Sequence, residues 1–342
     1  MTVNRMSAWW LVALLVLAGT FDTASAQQKS APGNAAKNPP ANAAGQAQKG
    51  SGANTQAKSK DGSVDMVLPS AADGWPIHCT YFESSAGKES PVVVLLTATE
   101  GSDKKDARNR RVWQPTAVAL QKAGFAAVTV DLRKHGDSVP TAGSGEASAL
   151  KMAAADYVLM AAGDLEAVKV FLLEQHKSEK LNVRKMGIVA MGSSAMVASA
   201  FAVADWDKKP YPDGPTLALS TPRGQDVRAL VLYSPNTSVK GINSTAVLKT
   251  IRGLLIAVHV ISSKDNREDL KNAEKVFKAV DLKDDQFKDS RKLTLVSGGV
   301  RSEGFLEGRF GEATNRDIVD FLTLNVKQLD FPWVSRNDRR QE

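Results

Sequence analysis

The 342-residue chain is poor in the two side chains that most often do chemistry: it has one cysteine, Cys79, and four histidines, at 78, 135, 176 and 259. A single cysteine excludes an internal disulfide and any thiolate metal cluster. No His/Asp/Glu set has ligand spacing, so no metal is expected. Histidine is absent from everything after His259. The first strand–helix junction has neither G-x-G-x-x-G nor G-x-x-x-x-G-K-[ST], which removes the dinucleotide-loop and phosphate-loop readings, and no cofactor is expected.

A membrane-spanning run is also lacking. The longest apolar stretch, "AWWLVALLVLAG", has about 12 residues, too few to cross a bilayer comfortably. Arg5 precedes it and Ala24-Ser25-Ala26 follows, which together predict an export signal over 1–26, cleaved before Gln27. The expected location is therefore the periplasm or the extracellular space, with no transmembrane span left after cleavage. Residues 27–62 contain no large apolar side chain. Such a segment cannot offset the entropy of ordering, so a disordered Ala/Asn/Gly/Gln/Lys-rich leader is expected.

Acids are missing from 27–60, which hold five lysines. Arg5 and Asp22 cancel, so of the formal +7 only about +2 remains for residues 61–342. The basic leader is expected to touch anionic surfaces. A nucleic-acid groove would need basic side chains clustered on folded structure, and no such stripe occurs, so nucleic acid is not an expected partner.

What is present is an alternation of strand and helix signals from residue 63 onward. "MVLPSAADGWPIHCTYFES" reads as two strands around Asp73-Gly74. "PVVVLLTA", "AAVTVDL", "KMGIVAM", "VRALVLYS", "GLLIAVHVIS" and "KLTLVS" read as further strands. Helical segments lie between them, including 149–177, 266–280 and 315–329. Strands alternating with helices require a mostly parallel sheet covered on both faces. The expected class is α/β: about eight strands with an antiparallel edge hairpin, a single domain over 63–330, and a polar C-terminal tail over 331–342. Cys79, in an alternating strand-like run, is expected to be a buried small side chain.

Five segments, in order, resemble the α/β-hydrolase superfamily, and the resemblance spans nearly all of 63–328. They are "DGWPIHCTYFES" (opening hairpin), "VVVLLTATEGS" (third strand and oxyanion loop), "VTVDLRKHGDS", "GIVAMGSSAM" (nucleophile elbow) and "VHVISSKDN" (strand ending in the catalytic acid). The resemblance implies a nucleophile on a sharp strand-to-helix turn, flanked two residues on either side by small side chains. Ser194 takes the nucleophile position, with Gly192 on one side but Met196 on the other. A register centred on Ser193 gains Ala195 and meets Met191 instead. Alternatively the serines only cap the following helix.

The resemblance further implies Asp265 at the acid position, or as a cap of the helix after it. It puts Arg301 where the family has its histidine, and arginine cannot accept a proton. Glu303 is a conceivable base or a solvated carboxylate, and nothing in the spacing favours a Ser–Lys pair with Lys264. His78 falls on the hairpin, His135 in a structural turn, His176 at a solvated helix end and His259 inside a buried strand. Oxyanion donors are expected at the backbone of Thr99 and Ala195, with Glu100 nearby. Residues 143–155 and 207–226 are expected to wall the cleft.

Three readings follow. The chain is a catalytically degenerate hydrolase that binds a small-molecule or ester-like ligand, an active carboxylester or acyl hydrolase with Ser194 and a non-standard base, or a structural envelope protein without a ligand.

Overall fold

The computed structural model describes residues 62–99, 109–139 and 151–340. The expected export signal, nearly all of the leader, and most of 143–155 lie outside the described residues.

The strands are β1 (Ser63–Pro69), β2 (Pro76–Phe82), β3 (Val92–Leu96), β4 (Ala126–Val130), β5 (Met186–Met191), β6 (Val227–Tyr233), β7 (Ala257–Ser263) and β8 (Arg291–Val296). They form one sheet in the order β1-β2-β4-β3-β5-β6-β7-β8. β1–β2 and β2–β4 pair antiparallel, and every other neighbouring pair is parallel. β2 alone is thus inverted, and β1 runs in the same direction as the parallel strands. β3, β4, β5 and β7 are buried at every position, as their continuous apolar runs require in a sheet covered on both faces. β8, an edge strand, is half-exposed.

The helices are α1 (Gln114–Lys122), α2 (Ala154–Leu159), α3 (Leu165–Lys177), α4 (Ser194–Asp207), α5 (Ser244–Gly253), α6 (Arg267–Val280) and α7 (Gly308–Leu322). Side chains of α2 to α6 join one core layer with Val94, Ile188 and Leu232, while α1 and α7 close the other face against Val93, Val189 and Val231. The helical signal over 149–177 is realised over 154–177 and is interrupted by a π turn at Met160–Asp164. That turn brings Asp164 against the Arg133 guanidinium at 2.6 Å and the Gly163 carbonyl onto the Ala71 amide.

Parallel α/β units have two chemically distinct edges. Strand-to-helix turns collect at the C-terminal edge, where clefts form, and helix-to-strand connections return to the N-terminal edge. Residues 207–226 connect α4 to β6. They therefore lie at the N-terminal edge and do not wall the cleft, a correction that follows from α4 running antiparallel to its strands.

The C-terminal residues are no free tail. Arg336 and Asp338 are buried. Arg336 reaches the Asp226 carboxylate with two guanidinium nitrogens at 2.9 Å. Asp226 also accepts from Lys169 Nζ at 2.6 Å, and Lys169 donates to Asp205 at 2.7 Å. All four are buried, so two cations and two carboxylates close a neutral cluster inside the protein. Trp333 stacks on His176 at 5.0 Å between ring centroids, and the ring nitrogen His176 Nε2 lies 2.8 Å from the Val334 carbonyl. His176 is thus fully buried under the strap formed by 331–340, not at a solvated helix end.

Candidate functional site

The cleft of this fold lies at the C-terminal edge, where β5 turns into α4. β5 ends at Met191, Gly192 has φ +56°, Ser193 is already helical at φ −69°, and α4 begins at Ser194. The reversal is made by one residue in the left-handed region, which glycine enters without a Cβ penalty. The Gly192 amide donates to Tyr233 O at 2.9 Å, and its carbonyl accepts from Asn236 N at 3.0 Å. The apex of the turn is therefore Gly192, two residues before the expected centre. Its flanks two residues away, Ala190 and Ser194, are both small and fully buried.

Ser194 sits under this turn. Its hydroxyl donates to Met191 O at 2.7 Å and accepts from Met191 N at 3.1 Å, with no exposed surface. Ser193 Oγ accepts from Asn236 Nδ2 at 3.1 Å and is nearly as buried. Ala195 N donates to Gly192 O at 3.2 Å, so this expected oxyanion donor is engaged inside the first turn of α4. Thr99 is buried, and its carbonyl accepts from the Tyr157 hydroxyl at 3.2 Å. The β3-loop amide that meets a polar partner across the cleft is Ala98 N. It donates to Glu303 Oε1 at 2.8 Å. An acidic side chain from the loop after β8 thus rests on the loop after β3.

The acid and base positions also engage backbone and each other's loops. Asp265, just past β7, is exposed, and its carboxylate accepts the Gly298 amide from the loop after β8. The cap of α6 is Asn266, whose side chain accepts from Glu268 N and Asp269 N, so Asp265 has no capping role. Arg301 pairs with Asp269 at 2.7 Å. Burial pushes the Asp269 carboxyl above its ordinary value, against the opposing pull of the Arg301 guanidinium. Ser302 N donates to Ser234 Oγ at 3.3 Å. The loop after β8 is consequently fastened at Gly298, Arg301, Ser302 and Glu303.

The histidines are engaged elsewhere. His259 is buried within β7, its Nε2 2.9 Å from Thr294 Oγ1, and burial pushes its pKa down to about 3. His135 Nδ1 lies 2.8 Å from Arg133 O within the turn after β4. In that turn Gly136, at φ +51°, leaves room for the Asp131 carboxylate, which a Cβ would approach to 2.3 Å. Asp131 in turn accepts from Arg110 Nη1 at 2.7 Å. The D-x-R-x-x-G-x-S stretch is a structural knot, built from buried ion pairs.

The structure unites Asp265 and Arg301 in neighbouring loops and keeps Ser194 beneath the turn floor. Sequence reasoning gave Gly192 only a flanking place in the elbow and passed over Asp269. The small residue pair Ala190 and Ser194 around Gly192 was the available signal. Among the described residues no group of three or more His, Cys, Asp or Glu side chains could hold a metal ion, and no helix is long and apolar enough to cross a membrane.

By sequence, the chain matches no protein-family model and no curated protein. By shape it is similar to a dienelactone hydrolase from Anabaena variabilis, with a TM-score of 0.51 and 13% identity over 77% of this chain and 99% of that one. It is also similar to the α/β-hydrolase GrgF from a Penicillium species, with a TM-score of 0.51 and 12% identity over 77% and 99%. Identity this low speaks to architecture alone. The chain has the α/β-hydrolase fold.

Proposed function

We propose that this chain uses the α/β-hydrolase scaffold without Ser-His-Asp hydrolysis, its cleft binding a small-molecule or ester-like ligand. One observation carries the reading. The apex of the strand-to-helix turn, where a nucleophile would be presented, is Gly192 and has no side chain. Three others support it. The Ser194 hydroxyl is turned back onto Met191, Arg301 is paired with Asp269, and Glu303 occupies the Ala98 amide. Removing one triad member already lowers the rate by several orders of magnitude, and here nucleophile and base are both replaced. A carboxylate against the oxyanion loop also opposes developing negative charge.

The test is adduct formation with a fluorophosphonate probe on the folded protein, with Ser193→Ala and Ser194→Ala beside it. The expected result is no adduct on any of the three. An adduct lost in either variant would sink the reading and make that serine a working nucleophile. Ligand binding is read separately, as a rise in melting temperature in a screen of esters and carboxylates, because binding only the native state must stabilise it. A flat screen would favour the structural reading. Export belongs to the same proposal and is checked by the mass of the mature N-terminus, expected at Gln27.

A further inference from the structure

The connection from α4 to β6, at the edge opposite the cleft, is rigidly built yet displays bare leucines. Tyr211 N donates to Thr221 O at 2.9 Å, and Thr221 N donates to Asp213 Oδ1 at 2.8 Å, closing the loop into a ring. Ser220 Oγ donates to Thr216 O at 2.9 Å. Arg339 from the C-terminal strap donates to both Asp213 and Leu219 O. Gly214 packs so closely that a Cβ would stand 2.8 Å from the Leu219 backbone. At the tip of this braced loop Leu217 is 76% exposed and Leu219 61% exposed. Large apolar side chains on a fixed loop, with no described residue over them, are the mark of a surface that meets something apolar.

Charge points to what that is. Lys209 and Arg223 are exposed on the two limbs of the loop, and its own acid, Asp213, is taken by Thr221 and Arg339. The neighbouring connection from α5 to β7 repeats the pairing, with Leu255 exposed beside Lys249 and Arg252. Asp207 is the exposed acid at the end of α4, and the acidic connection into β8, with Asp281, Asp284, Asp285 and Asp289, bounds the patch on its outer side. Because β1 runs parallel to β4, the chain enters the fold at Ser63 on this same edge. The segment that arrives there carries five lysines and no acid over 27–60.

We infer that this edge is a docking surface for an anionic lipid bilayer, with Leu217 and Leu219 entering the headgroup–acyl boundary and the basic side chains meeting the lipid phosphates. Stable attachment to a bilayer takes two signals, an apolar insertion and a basic patch, and both occur on this edge. Docked in this way, the cleft faces away from the lipid.

The single buried cysteine permits a direct test on the full chain. Cys79 is enclosed and its thiol is pushed up by burial, so a fluorophore reacts at an introduced Leu219→Cys. A polarity-sensitive label there should brighten and shift to the blue on phosphatidylglycerol vesicles. The same label at Lys264→Cys, beyond β7 at the cleft edge, should not respond. Leu217→Ser combined with Leu219→Ser should lower the partition onto anionic vesicles about tenfold or more. Protein that binds vesicles with no change at position 219 would overturn the inference and leave attachment to the N-terminal segment. A spectral change that grows with protein concentration without vesicles would overturn it in favour of a second copy of this chain. An equal response on neutral phosphatidylcholine would remove the anionic requirement and with it the proposal.

Discussion

The two edges of the sheet have been treated in opposite ways. At the C-terminal edge, the strand-to-helix turn has a glycine, Gly192, at its apex and two serines buried beneath it. At the N-terminal edge, Lys169, Asp205, Asp226 and Arg336 form a buried ionic cluster in which each charge meets an opposite one. Buried charge at the one edge holds the strap, whereas at the other it ties loops together, through Arg301 on Asp269 and Glu303 on the Ala98 amide.

The comparison is broken most forcefully at Arg336. Its removal leaves the two carboxylates with Lys169 as the ion-pair partner in contact with both, and an uncompensated buried charge costs about 3–5 kcal/mol. Arg336→Ala should therefore lower stability in denaturant by that order, whereas the exposed Lys209→Ala stays within about 0.5 kcal/mol. Equal midpoints for the two variants would mean the strap is ornamental.

Next in size is Ser194→Ala. With the hydroxyl gone, the buried Met191 amide loses the partner described above, a loss of about 1–3 kcal/mol. Stability should fall while probe labelling stays absent. A variant as stable as the parent would show the hydroxyl contributes nothing to the turn.

The smallest effect is graded with pH. Burial holds His176 below its ordinary value of 6.5, with the Val334 and Leu181 carbonyls opposing. The unfolded chain takes up a proton that the folded state resists, so this contribution is whole above about 6.5 and declines as pH falls. His259, pushed down to about 3, acts in the same direction. Denaturation midpoints from pH 7.5 to 5 should drop, with a shallower slope in His176→Gln. An unchanged slope would detach the strap from this titration.

The architecture was legible because its signals are local. Runs such as "VVVLL" and "MGIVAM" declare strands buried on both faces, and their alternation with helices leaves few topologies. The elbow's register was harder, since three candidate registers overlap between Ala190 and Met196, and the backbone angle at Gly192 chooses among them. The strap was illegible because "SRNDRR" looks solvated until Asp226, 110 positions earlier, draws Arg336 inside. The misplacement of 207–226 is different in kind. The direction of α4 relative to β5 already assigns that connection to the far edge, so topology alone could have settled it.

The strap also sets an order of events in the life of the chain. A polypeptide is made from its N-terminus, so Lys169, Asp205 and Asp226 emerge long before the guanidinium that completes them. Until then the nascent sheet holds an unbalanced negative charge at its base and stays short of full cooperativity. The keystone is laid last, and a chain truncated a dozen residues early would have every strand and still not lock.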